Sequence, residues 1–102
     1  MAKAVGMIEV YGLVAALIAG DAGCKAANVV IEALDRNRPS KADIPVPLVI
    51  MVKFRGNVED VKAAIEAAEV AANKVTGVVS KYIIANPSED TEKLLKRDGL
   101  AE

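Results

Sequence analysis

The sequence predicts an α+β domain whose strands and helices follow in the order β-α-β-β-α-β-α, and three observations carry that prediction. A length of 102 residues leaves room for one compact domain, taken as residues 1–102. Two long segments repeat apolar residues at three- and four-residue spacing, the mark of a buried helix face. Around them lie four short runs rich in β-branched residues, each bounded by Gly, Pro, Asn or Asp.

Residues 4–10 mix β-formers with Gly6 and run into Tyr11-Gly12, which reads as a strand ended by a turn. A helix follows from Leu13. Leu17, Gly20 and Cys24 recur every three or four residues beside Ala16 and Ala27, which predicts one buried face with Cys24 as a small core residue. Asp21 and Lys25 stand on the other side, four apart in the favourable acid-then-base order. Asn28 breaks the pattern, and residues 29–34 are β-branched with Glu32 as their single charge, so a second strand is expected to stop at Asp35.

Residues 35–43 are polar, contain Pro39 and show no period, which predicts an exposed loop. Ile44-Pro45-Val46-Pro47 extends it, because two prolines remove backbone donors and hold the chain stiff. The whole of 35–47 is therefore read as a long loop between the second and third strands. Residues 48–54 form a third strand, apolar on both parities until Lys53, as suits a central strand. Arg55-Gly56 ends it.

Asn57 is a good N-cap with Glu59 and Asp60 in the first turn, and Val58, Val61, Ile65, Ala68, Ala72 and Val75 make an apolar stripe, so a second helix runs to Thr76-Gly77. A fourth strand over Val78–Ile84 is followed by the turn at Asn86-Pro87. Ser88 caps a short last helix with Glu89 and Asp90 at its start, Lys93, Lys96 and Arg97 at its end, and Gly99 as the stop. This order is the split ferredoxin-like arrangement, an antiparallel four-stranded sheet with two helices on one face and a short C-terminal helix added.

Composition narrows the function. Apolar residues are 53% of the chain but aromatic ones only 3%, so the core is made of Ala, Val, Ile and Leu and its elements must pack closely. A formal charge of −1 without a basic block, and one Phe and two Tyr without Trp, argue against binding nucleic acid, whether duplex or single-stranded. With no His and Cys24 as the sole cysteine, one chain cannot assemble a zinc site, a His-based triad or an internal disulfide. The apolar run 12–20 falls short of the roughly 20 residues of a membrane span, and residues 1–10 do not resemble a signal peptide. A soluble cytosolic protein, with no membrane partner, is expected. Tyr11 and Tyr82 read as packing residues with a surface hydroxyl. Glu9, Glu32 and Lys53, lying on strands, each call for a solvated face or a partner.

Specific runs resemble a known family. Val5-Gly6-Met7-Ile8-Glu9-Val10-Tyr11-Gly12-Leu13-Val14-Ala15-Ala16 is similar to the opening strand and helix of the bacterial microcompartment (BMC) shell proteins. The likeness continues through Asp21-Ala22-Gly23-Cys24-Lys25-Ala26-Ala27-Asn28-Val29, Arg55-Gly56-Asn57-Val58, Val79-Ser80-Lys81-Tyr82-Ile83-Ile84 and Asn86-Pro87-Ser88-Glu89-Asp90. The resemblance implies a structural, non-enzymatic subunit. Homo-hexamers would tile with other microcompartment shell proteins into a cytoplasmic shell around encapsulated enzymes, with a central pore for metabolites.

By the same resemblance Lys25 and Asn28 lie at the edge where rings meet, and Asn86 stands where the family usually places an edge arginine. The family's short glycine-rich pore loop is replaced here by a connection about eight residues longer, unusual for a hairpin. Aligned to the pore, Pro45, Val46 and Pro47 would give a stiff lining, and Arg36, Arg38, Lys41 and Asp43 would ring one mouth, a charge ring of the kind that confers selectivity. Some relatives with altered pore loops bind an iron–sulfur cluster through a loop cysteine, and this loop has none; no cofactor is expected. The reading from another class is a ferredoxin-like regulatory domain that binds a small molecule between subunits. An acylphosphatase-type enzyme is disfavoured because Tyr11-Gly12-Leu13 offers no anion nest.

Overall fold

The computed structural model describes residues 3–37 and 48–96. Its elements are β1 (Ala4–Tyr11), α1 (Leu13–Ala26), β2 (Val30–Asn37), β3 (Val49–Gly56), α2 (Val58–Asn73), β4 (Val78–Ile84) and α3 (Glu89–Leu95). The order is the one the sequence predicts. The four strands form one antiparallel sheet ordered β2-β3-β1-β4, so β3 and β1 are central and β2 and β4 are its edges.

Side-chain alternation along β3 assigns the two faces. Ile50, Val52 and Phe54 are fully buried and belong to the core formed with α1 and α2, together with Ile8 and Val10 of β1. Met51, Lys53 and Arg55 therefore point to the opposite face, and α3 crosses that face, because Glu92 and Leu95 of α3 meet Arg55 and Lys53 there.

Helix α2 starts as its sequence dictates. The Asn57 side chain accepts the Asp60 amide at 2.9 Å, and Val61, Ala64, Ile65, Ala68 and Ala72 are buried against the sheet. Val75 lies past the helix end and is exposed.

Helix α1 corrects the sequence reading. Its buried residues are Ala15, Ala16, Ala19, Gly20 and Gly23, whereas Leu17 is 56% exposed and Cys24 is exposed too. Closeness of approach is the reason. A Cβ on Gly23 would stand 2.5 Å from the Phe54 ring, so α1 can turn only its smallest side chains inward and its large ones face out.

The second correction is at β2, which begins one residue later than expected and continues through Asp35, Arg36 and Asn37, opposite Met51, Ile50 and Val49. Polar residues extend the strand because Asp35 finds an ionic partner in Lys53 across the ladder. Arg36 is thus a strand residue and not part of a loop. The register shifts between Ile31 and Ala33, so Glu32 sits at a bulge. Of the expected loop, Arg38, Lys41, Asp43, Pro45, Val46 and Pro47 lie outside the described residues, as do Arg97 and Gly99 beyond α3. The third strand also runs two residues further than expected, to Gly56.

Candidate functional site

The topology gives the subunit two distinct ends and two distinct flanks. Ala4 pairs with Gly56, Val5 with Ile84, and Val30 with Arg55, so β2 starts at the end of the sheet where β4 finishes. Helix α1 leaves β1 at the other end and returns to this one. Lys25, near the C-terminus of α1, Asn28, just before β2, and Asn86, just after β4, consequently share one end of the sheet, all three exposed. Asn28 and Asn86 sit at opposite edges, three strand spacings or about 14 Å apart. Asn37 and Val49, which bracket residues 38–47, pair at the far end, roughly 26 Å away along eight-residue strands. Residues assigned to ring edges and those assigned to a pore are thus attached at opposite ends.

Lys25 Nζ lies 2.8 Å from Asp21 Oδ2, and this hydrogen bond and charge hold the Lys25 ammonium above its ordinary pKa. Both side chains are solvated. The Asn28 amide is 3.4 Å from Asp60 Oδ1, which ties the start of β2 to the first turn of α2. Lys3, Asn28, Val29, Val30, Arg55, Gly56 and Asn57 line a cleft of about 400 Å³ at this end.

The flanks are apolar. On the α1–β2 side Leu13, Val14, Leu17, Ile18, Val30 and Ile31 are exposed; on the opposite side, around β4 and the end of α2, so are Val70, Val75, Val79, Tyr82 and Ile83. Val14 at 64% and Tyr82 at 70% are exposed far beyond what a core residue tolerates, and Tyr82 is therefore not the packing residue its sequence position suggests. The expectation missed the α1 stripe because a 3.6-residue period locates an apolar face without saying whether the same chain covers it.

Strand charges find partners. Glu9 accepts from Ser80 Oγ at 2.5 Å, Glu32 pairs with Arg55 Nε at 3.7 Å, and Lys53 pairs with Asp35 while donating to the Leu95 carbonyl at 3.3 Å. Arg55 also donates to the Lys3 carbonyl at 3.0 Å and to Glu92 of α3. Sequence reasoning treated Arg55 as a strand terminator. Its alternation with Lys53 on β3, opposite the acids Glu32 and Asp35 of β2, was the available signal.

Among the described residues no group of three or more His, Cys, Asp or Glu is arranged to hold a metal ion, and no helix is long and apolar enough to cross a membrane. The fold is an α+β domain built on one antiparallel sheet, and its two flanks expose unlike sets of apolar side chains. Residues 4–87 match the BMC domain. Over 95 residues the chain is 38% identical to the bacterial microcompartment shell protein PduA of Citrobacter freundii, covering 93% of this chain and 94% of PduA. Over 97 residues it is 37% identical to the carboxysome shell protein CcmK2 of Synechocystis, covering 93% and 86%. A crystal structure of a microcompartments protein from Desulfitobacterium hafniense shares the fold, with a TM-score of 0.70 at 20% identity; the match covers 94% of this chain and 48% of that one. The chain belongs to the bacterial microcompartment shell-protein family.

Proposed function

We propose that this chain is one structural shell domain of a bacterial microcompartment, and that six copies close into a ring whose axis lies at the 38–47 end. The pair of apolar flanks carries this reading. They lie on opposite edges of the sheet and differ in composition, one a helix stripe beside β2 and the other an edge strand beside α2. Unlike surfaces pair head to tail, and repeated head-to-tail contacts either close by rotation into a ring or run on as a filament. Ring closure buries both flanks of every copy. The number six rests on the family resemblance.

In such a ring the sheet end carrying Lys25, Asn28 and Asn86 faces outward, where neighbouring rings and other shell proteins meet it. The opposite end brings Arg38, Lys41, Asp43, Pro45, Val46 and Pro47 toward the axis, with Arg36 one step back on β2, and frames a passage for metabolites. The shell so formed lies in the bacterial cytoplasm and encloses enzymes; the subunit itself performs no chemistry. Native mass spectrometry and electron microscopy test this. A hexamer that forms sheets or tubes at high concentration is expected, and a monomer at every concentration would overturn the reading.

A further inference from the structure

We propose that the cleft between α2 and β4 receives Leu17, Asp21 and Ile31 of a second copy of this chain, a contact that rests on the ring reading and specifies which side chains meet in it. Ladder register puts the two edges of the sheet at one level. Ile31 lies opposite Phe54, Phe54 opposite Gly6, and Gly6 opposite Ile83, so two exposed isoleucines end the same row. Both face the helix side, because directly opposed residues share a face and Phe54 is buried in the core beneath α1 and α2. The helices mark the same row: a Cβ on Gly20 would stand 2.9 Å from Ile31, and one on Gly6 would stand 2.5 Å from Val61 and 2.9 Å from Ile65. Asp21 follows Gly20 on α1 and Lys62 follows Val61 on α2, and both are exposed. With the strands running outward from an axis at the 38–47 end, each row keeps one distance from that axis. Rotation preserves this distance, so a row meets the same row of the next copy.

Shape and charge fit the occupant to this cleft, which has about 360 Å³ and is lined by Lys62, Ile65, Glu66, Lys81, Tyr82 and Ile83. Its apolar side takes Ile31 and Leu17, the latter one turn before Asp21 on the exposed stripe of α1. Its charge takes Asp21, since two ammonium groups stand there against the single carboxylate of Glu66. Glu32, the neighbouring acid on β2, is drawn to the other sheet face by Arg55. Asp21 pairs with Lys25, Lys62 lies 3.7 Å from Glu59, and Lys81 lies 2.7 Å from Glu69. These are solvated surface pairs, which hold their members weakly and leave them able to bind across an interface. A carboxylate accepts several hydrogen bonds, so Asp21 keeps Lys25 on Oδ2 while it takes Lys62 of the next copy. The carboxylate that orients Lys25 is then itself held by the ring contact.

The test uses the full chain with Cys24→Ser, which removes the native thiol. Ile31→Cys and Ile83→Cys are combined in one chain and treated with a short bis-maleimide; a ladder of linked copies is expected on denaturing gels. Ile31→Cys with Val79→Cys, four residues nearer the axis end of β4, should give none, because that separation is about 13 Å along a strand. Rings that do not crosslink through Ile31 and Ile83, or that crosslink equally through Val79, overturn this pairing and leave the ring reading standing. Linked products that stop at two copies overturn it as well, since they mean a closed pairing of flanks. A wild-type chain that forms no ring defeats both. The charge contact is read separately, with Ile31 and Ile83 native, from the concentration at which rings dissociate. Asp21→Lys and Lys62→Glu are each expected to raise it about fivefold or more, and the two together to recover most of that loss. Losses that simply multiply in the double variant overturn the contact between Asp21 and Lys62.

Discussion

Gly23 of α1 and Phe54 of β3 touch with no space between them: a Cβ on Gly23 would lie 2.5 Å from Phe54 Cζ and 3.2 Å from the Ala64 carbonyl oxygen of α2. One missing methyl group thus sets the distance at which α1, α2 and the sheet meet.

Gly23→Ala is therefore expected to destabilise the fold, although the same change in an open helix stabilises by about 1 kcal/mol. Phe54 is fully buried and cannot swing away, and the Ala64 oxygen is main chain, so the overpacking cost of about 1–3 kcal/mol outweighs the propensity gain. A net loss of about 1–2 kcal/mol should appear as a lower urea midpoint at unchanged slope. A variant as stable as wild type would mean that α1 sits further from the sheet.

The ion pair of Asp35 and Lys53, diagonal across the β2–β3 ladder, separates two kinds of substitution. Lys53→Ala removes the charge and its packing, leaving Asp35 without this cation beneath α3; breaking a buried pair costs about 3–5 kcal/mol, and partial hydration of Asp35 reduces that to about 2–3 kcal/mol. Lys53→Met leaves Asp35 without the same cation but keeps the packing stem, so it is expected to lose about 1 kcal/mol less than Lys53→Ala. Denaturant midpoints of the two variants check this. Equal losses would show that the charge, and not the filled volume, sets the stability.

Much of this fold was legible in the sequence, for reasons that differ from element to element. Asn57, Glu59 and Asp60 signal the start of α2 because capping is local chemistry that tertiary context seldom overrides. Strand β4 was placed to the residue because Gly77 and Asn86-Pro87 bracket it. The end of β2 was not legible: Asp35, Arg36 and Asn37 look like loop until the partner strand supplies Lys53. Leu17 and Cys24 were assigned inward because periodicity cannot distinguish a face covered by the chain itself from one left for a neighbour. The latch of Glu92 on Arg55 joins residues 37 apart in sequence, and no local pattern announces it.

Lys25 should respond to pH and to charge reversal in a defined way. Its pKa is raised by the Asp21 hydrogen bond and charge, so the favourable pairing is fully present below the ordinary lysine value and disappears as pH rises through the raised one. Asp21→Asn is expected to lower the Lys25 titration, observed at its Cε resonance; an unchanged titration would remove Asp21 as the cause. In assembly, Lys25→Asp should leave rings intact and abolish sheets in electron micrographs. Persistence of sheets would take Lys25 out of the ring edge.

Leu17 offers the sharpest test of the flank contact, because burial in a ring and burial in the core predict different failures. Half its surface is open in the single subunit, so Leu17→Glu places a charge in water and should leave the far-UV spectrum and the monomer's denaturant midpoint within about 0.5 kcal/mol of wild type. Inside a closed ring the same carboxylate would be desolvated against an apolar neighbour, at a cost of several kcal/mol per interface. Repeated at every contact, that cost dissociates the ring, and size-exclusion chromatography with light scattering should show folded monomers. Ala16→Glu, one position away on the covered face of α1, should instead unfold the subunit. If Leu17→Glu still yields rings, the α1–β2 flank is not the surface through which copies join, and the head-to-tail pairing of flanks fails with it.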